Sequence, residues 1–170
     1  MSLPKRIEIT EVGPRDGWQN HKAMIIPTEV KAKYVKKMID AGADKIEVTS
    51  FVNPKAVPQM ANAKDLVALV QPYAKEKGCQ TIGLALNKRG VDDAVAAGVD
   101  YVGFGISVSE EHNKRNSNRK KINFDVCGLS FKHFVLFFAV VFASAYLGFM
   151  PTVTIYSNSA GAFTATTFVG

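Results

Sequence analysis

Cysteine is scarce in this chain. Cys79 and Cys127 are the only two among 170 residues, and neither has metal-ligand spacing or a partner motif around it. That excludes a disulfide framework and fits reduced, buried or neutral thiols of a cytosolic protein. Histidine is nearly as rare: His21, His112 and His133 stand alone, with no His-x-His pair. His21 and His112 therefore read as surface residues. No G-x-G-x-x-G or G-x-x-x-x-G-K-[ST] run occurs, which argues against a nucleotide-phosphate loop. The N-terminus "MSLPKRIEIT" has no apolar stretch of signal-peptide length, so secretion is not expected. The net charge is +6. Lys and Arg are nevertheless spread over helix-like segments rather than interleaved with aromatics on one face. Nucleic acid is thus not the expected partner, and acidic or phosphate-bearing small molecules suit the balance.

The sharpest deficit is local. After Lys121 the only charged residues are Asp125 and Lys132, whereas nine of the eleven phenylalanines fall there. One compact domain rarely changes character so abruptly. Residues 1–121 and 122–170 are therefore treated as two different regions.

What is present in the first region is a rhythm. Ile7 to Val12 is rich in β-branched residues and stops at Gly13-Pro14, a strand ended by a breaker. A helix follows from Thr28, with Val30, Tyr34, Val35, Met38 and Ile39 at helical spacing and Gly42 placed to close it. "KIEVTSF" (45–51) reads as a strand, and Asn62 to Lys77 as a helix with Leu66, Leu69, Val70 and Tyr73 on one face. "TIGLALN" (81–87) is a third strand, before a short helix with Val91, Ala94 and Val95 inward and Gly98 at its end. "YVGFGIS" (101–107) is the fourth. Such alternation predicts an α/β fold with a parallel sheet built from right-handed crossovers, an open sheet or a (β/α)8 barrel.

In a barrel the chemistry sits at the C-terminal ends of the strands. Polar residues collect there: Arg15, Asp16, Gln19 and Asn20, then Glu47, Thr49, Ser50 and Asn53, then Asn87, then Ser107, Ser109, Glu110 and His112. Glu47 alternates with Ile46 and Val48, so it points to the other side of its strand, where a carboxylate needs a partner. Arg15, on a stiff loop, is the nearest plausible one, through a bidentate contact. Asp16, facing elsewhere, is then free to bind a hard cation such as Mg²⁺ or Mn²⁺. The cation would polarise an oxygen, and Arg15 would meet the charge of a developing enolate. An ordinary interior ion pair with Asp16 as a turn residue explains the same spacing. Trp18 reads as packing against its loop, and "NKRNSNRKK" as a solvated run.

Three stretches, "VGPRDGWQN", "IEVTSFVNPKAVPQM" (46–60) and "LNKRGVDDAVAAGVDYVGFGISVSEEHNKRNSNR" (86–119), together resemble the hydroxymethylglutaryl-CoA lyase family. The resemblance covers residues 5–119 and implies a TIM barrel of the Asp-Arg-Glu metallolyase type. It implies that Asp16 ligates a divalent cation, Mg²⁺ or Mn²⁺, that Arg15 stabilises a thioester enolate and that Glu47 orients Arg15. Gln19 and Ser50 would line the substrate site. The implied reaction is retro-Claisen cleavage of 3-hydroxy-3-methylglutaryl-CoA to acetyl-CoA and acetoacetate, as in leucine degradation and ketone-body metabolism. The implied partner is an acyl-CoA, and a homodimer is compatible with the resemblance.

The sequence also departs from the family. The His-x-His pair, the Asn and the Cys loop that such lyases supply from later strands have no match here. About four βα units are expected, leaving a strand edge open, and little or no lyase activity from this chain alone. A non-catalytic fragment, membrane-tethered or partner-dependent, is the alternative. Residues 122–170 form an apolar, non-family tail with three readings. They are a frame change near the adenine-rich codons expected for "HNKRNSNRKKIN", which is the favoured one, a short membrane span over 134–150, or a genuine alternative C-terminus. A cytoplasmic protein is expected.

Overall fold

The computed structural model describes residues 7–21, 23–107, 151–158 and 163–169. Strand β1 (Thr10–Glu11) leads into helix α1 (Gly13–Gln19) and then α2 (Thr28–Asp40). Strand β2 (Lys45–Ser50), a single 3₁₀ turn (Pro58–Met60) and α3 (Ala63–Lys77) follow. β3 (Gln80–Ala85), α4 (Lys88–Ala97) and β4 (Tyr101–Ser107) complete the alternation. β1 to β4 are all parallel and adjacent in chain order, as expected of an α/β fold built from crossovers.

Near-continuous burial along β2 shows why its residues are a strand rather than half of an amphipathic surface: every residue from Ile46 to Ser50 is buried. Ile46 and Val48 pack with Val35 and Ile39 of α2 and with Leu66, Val67, Val70 and Ala74 of α3 in one core. Each such side chain contributes about 1.5–3 kcal/mol when removed from water. Gly83 of β3 lies so close to the ring of Phe51 that a Cβ there would sit 2.6 Å from it. Gly42 has φ of 100°, a left-handed conformation that favours glycine and lets the chain leave α2.

Several expected helix faces are rotated. In α2 the buried stripe is Lys31, Ala32, Val35 and Ile39, while Val30 and Tyr34 are exposed. Leu69 and Val95 are likewise exposed, with Val67 and Ala74 buried on α3 instead, while Val35, Ile39, Leu66, Val70 and Ala94 are buried as expected. The apolar pattern is wide enough to fit two neighbouring stripes, and packing of the helices selects one of them. β1 is two residues long rather than six, and Ile7 and Ile9 are exposed, because β2 is its only partner strand among the described residues.

At the other edge, β5 (Pro151–Asn158) pairs antiparallel with β4, from Tyr101↔Asn158 to Ser107↔Thr152. β6 (Phe163–Val169) pairs antiparallel with β5. The expected open edge on β4 is therefore covered, and the terminal strand is β6. Antiparallel addition at this position departs from a (β/α)8 barrel, whose next strand would run parallel. The span proposed over 134–150, together with Cys127 and His133, lies outside the described residues. Among those described, no helix is long and apolar enough to cross a membrane.

The N-terminal face of the sheet is tied by a buried polar cluster. Asp100 Oδ2 accepts from the Thr81 amide at 2.8 Å, and Gln71 Nε2 donates to Asp100 Oδ1 at 3.1 Å. The Thr81 hydroxyl lies 2.5 Å from Gln71 Oε1, so its one hydrogen donates there. Cys79 is buried close by. Burial, then the carboxylates of Asp100 and Asp44, push its thiol pKa up, as expected of a neutral structural thiol.

Candidate active site

The segment expected to be a stiff loop is instead the short helix α1. Pro14 stands in its first turn, where the missing N–H costs nothing and the fixed φ favours helix. The amides of Arg15 and Asp16 both donate to the carbonyl of Val12, at 3.1 and 2.8 Å. Asp16 also suits the positive end of the helix. Trp18 packs against the core from this helix, as its apolar bulk predicts.

One turn of α1 brings Arg15, Asp16 and Gln19 to the same side, facing Glu47 of β2. Arg15 Nε and Nη2 each lie 2.7 Å from Glu47 Oε2, so both nitrogens fork onto one oxygen. The expected bidentate pairing of two nitrogens with two oxygens is thus replaced by a forked contact, which still fixes the guanidinium plane. Arg15 Nη1 donates to Asp16 Oδ1 at 2.7 Å, and Gln19 Nε2 donates to the same oxygen at 3.0 Å. Asp16 therefore faces Arg15 rather than elsewhere. Among the described residues, acceptors engage three of the five guanidinium N–H groups, which leaves two for another acceptor.

The side chains grade outward: Glu47 is 4% exposed, Arg15 18% and Asp16 57%. Burial pushes the Glu47 pKa up, the Arg15 charge and hydrogen bond pull it down, and the Asp16 charge raises it again; the net direction is upward. Ser50 is fully buried and its Oγ has no hydrogen-bond partner among the described residues. No hydrogen bond joins it to the Arg15 group. Asn53 accepts from the amide of Lys55, and Asn87 Oδ1 caps α4 by accepting from the Gly90 amide at 2.7 Å. These two rim residues thus have local structural roles. His21 is exposed, as expected. Ser109, Glu110 and His112 lie outside the described residues.

Asp16 is the right kind of donor for a hard cation. Among the described residues, however, no group of three or more His, Cys, Asp or Glu could hold a metal ion. A cavity of about 700 Å³ lies between the loop after β2 and the start of α4, bordered by Phe51, Asn53, Lys55, Met60 and Arg89. None of Arg15, Asp16, Gln19, Glu47 and Ser50 lines it.

Sequence reasoning missed a buried polar group beside this site. Lys31 is fully buried, and its Nζ donates to the carbonyl of Gln59 and, at 3.1 Å, to Asn62 Oδ1. Burial pushes its pKa down. Asn62 Nδ2 donates to the Thr28 hydroxyl at 2.7 Å, at the first residue of α2. The available signal was a lysine inside the inward stripe of α2 and a glutamine within the short apolar run "VPQM".

The model of the HMGL-like family matches residues 6–125. The mitochondrial hydroxymethylglutaryl-CoA lyase of Rattus norvegicus is 44% identical over 117 residues, which are 69% of this chain and 35% of that protein. The hydroxymethylglutaryl-CoA lyase of Bacillus subtilis is 38% identical over 119 residues, 70% of this chain and 38% of the relative. The crystal structure of the B. subtilis HMG-CoA lyase superposes with a TM-score of 0.62 at 38% identity, over 70% of this chain and 39% of that one. An HMG-CoA lyase from Acinetobacter baumannii, solved in complex with coenzyme A and 3-methylmalate, gives a TM-score of 0.62 at 30% identity over 67% and 36%. The chain thus spans between a third and two fifths of the length of these relatives. It shares with them the four parallel βα units that carry Arg15 and Glu47, and on that basis the chain belongs to the HMGL-like family.

Proposed function

We propose that residues 1–121 carry the enolate-stabilising part of a hydroxymethylglutaryl-CoA lyase-type site, acting on an acyl-CoA. The observation that carries this reading is the Arg15 guanidinium, fixed by Glu47 and Asp16 with two N–H groups left over among the described residues. In retro-Claisen cleavage of 3-hydroxy-3-methylglutaryl-CoA, a base takes the C3 hydroxyl proton and the oxygen pair forms the ketone of acetoacetate. The C2–C3 bond breaks, and its electrons move to the thioester as an enolate that is then protonated to acetyl-CoA. Arg15 stabilises that enolate oxygen through preorganised, charged donors. Glu47 orients Arg15, while Gln19 and Ser50 contact substrate. The unpartnered Ser50 hydroxyl supports its place in that reading.

Asp16 fits Mg²⁺ or Mn²⁺ in kind, but one carboxylate falls short of the oxygen set such ions take. A bound divalent cation would supply Lewis-acid polarisation, and Asp16 is proposed as one of its ligands. Turnover by this chain alone is accordingly proposed to be weak or absent. The short donor set favours the second reading too, a non-catalytic piece that needs a partner to complete the site. Cytoplasmic location is retained as a proposal from the scarcity of cysteine and the lack of any partner motif around Cys79 and Cys127.

Two measurements test the reading. Mn²⁺ titrated into the labelled chain should broaden NMR signals around Asp16, and Asp16→Asn should abolish the broadening. Broadening centred elsewhere would refute the ligand assignment. In a lyase assay with excess Mn²⁺, turnover that Arg15→Lys abolishes would refute the proposed inactivity while supporting the role of Arg15.

A further inference from the structure

We infer that Gln59 is a positioning residue for Arg15 and Asp16, clamping the chain where it leaves α1. This inference rests on the proposed role of the Arg15 site, and extends it to a residue outside that site. Gln59 is 2% exposed on the 3₁₀ turn after β2, and its side-chain amide is spent entirely on the backbone of residues 21–26. Oε1 accepts from the Ile26 amide at 2.9 Å, while Nε2 donates to the carbonyls of His21 at 3.1 Å and Met24 at 3.0 Å. A flipped amide would oppose donor to donor and acceptor to acceptor, so its orientation is fixed. Behind it, the buried Lys31 ammonium holds the backbone carbonyl of Gln59, and Asn62 joins Lys31 to Thr28 at the start of α2.

α1 has seven residues, too few to be stable on its own, so its geometry is set at its ends. The N-terminal end follows directly from β1, which pairs with β2, and the Gly13 amide donates to the Glu11 carboxylate at 2.6 Å. At the C-terminal end the His21 amide donates to the Trp18 carbonyl at 2.9 Å, and the His21 carbonyl is the one that Gln59 grips. Without Gln59, α1 is held by its N-terminal end, by Arg15 and by the packing of Trp18, none of which fixes the backbone where the chain leaves the helix, so the forked contact on Glu47 must take up that slack. A buried ammonium and a buried amide are costly unless fully bonded. Their place next to α1, where an apolar pair could fill the same space, is explained by this clamp.

The test is Gln59→Leu, which keeps the apolar volume and removes all three bonds. The Glu47 carboxyl titration and Arg15 Hε exchange would be followed by NMR in the whole chain. The expected result is a Glu47 midpoint above that of the parent chain, since the Arg15 contact pulls it down. Exchange at Arg15 Hε should rise about tenfold or more, with β2 and β3 amides unchanged. A purely structural role would speed exchange evenly and leave the Glu47 titration where it was; either result overturns the inference. Lys31→Met should shift Glu47 in the same direction by a smaller amount, and no shift in that folded variant also overturns it. Failure of both variants to fold would assign the group to folding alone and overturn it as well. None of these readouts involves metal or turnover, so the Asp16 titration can fail while this inference stands, and the reverse.

Discussion

Replacing Arg15 with methionine is the most discriminating perturbation of the site. The change keeps an apolar stem of similar reach and removes the contacts to Glu47 and Asp16. Glu47, 4% exposed, is then a buried carboxylate with no cation beside it, and Asp16 still repels it. Breaking a buried pair costs about 3–5 kcal/mol, and the partial exposure of Arg15 places the loss near about 3 kcal/mol at neutral pH. The loss depends on pH in a fixed sense. Both Arg15 contributions lower the Glu47 pKa, so the variant's folded-state value lies still further above the unfolded one. Such a group costs nothing below its unfolded pKa and destabilises as pH rises through its folded pKa. Near pH ~4 the variant should therefore lose only about 1 kcal/mol, from lost packing and the bond to Asp16. The difference should grow toward neutrality. Urea unfolding is the assay, followed by fluorescence of Trp18, the only tryptophan and itself in α1. The double variant Arg15→Met/Glu47→Gln should recover the pH-dependent part. A loss equal at both pH values, or no recovery in the double variant, would refute the buried-pair account.

Three further outcomes follow from the fold. Thr81→Val removes the hydroxyl between Gln71 and Asp100 and should cost about 1–3 kcal/mol in denaturant midpoint analysis, because the amide oxygen of Gln71 loses its donor. Gly83→Ala places a methyl 2.6 Å from the buried Phe51 ring, and about 1–3 kcal/mol of overpacking should lower the thermal midpoint. Lys64→Ala should raise the Asp93 pKa toward its ordinary value in an NMR titration, since the hydrogen bond from Lys64 is the main cause of its depression.

The alternation of strands and helices was legible because each βα unit is closed by local punctuation: Gly13-Pro14, Gly42, Gly78 and Gly98 all mark real ends. Which face of each helix is inward was less legible. Val30, Tyr34, Leu69 and Val95 are apolar enough to suit an inward face, yet they are exposed, and only the tertiary packing decides it. The sequence "GPRDGWQ" reads as a loop because two glycines and a proline within seven residues outweigh any periodicity. Proline in the first turn reverses that inference, and position within the element decides its meaning.

Arg15 and Glu47 could be paired from sequence although 32 residues separate them, since a carboxylate on a buried strand demands a cation and few were available. The same demand, applied to Lys31, would have found Gln59 and Asn62. A lysine on a helix ordinarily faces solvent, which hides this group in the sequence. The contrast identifies the usable rule: a charged residue inside an apolar stripe requires a stated partner, whichever its sign. It also explains why the Arg15 pair can form here while a metal centre cannot be assembled from the described residues. The pair needs only β2 and the helix before it, two neighbouring units whose packing is complete in this chain. A hard cation needs several oxygens converging from elements far apart in sequence, and the described residues offer it Asp16.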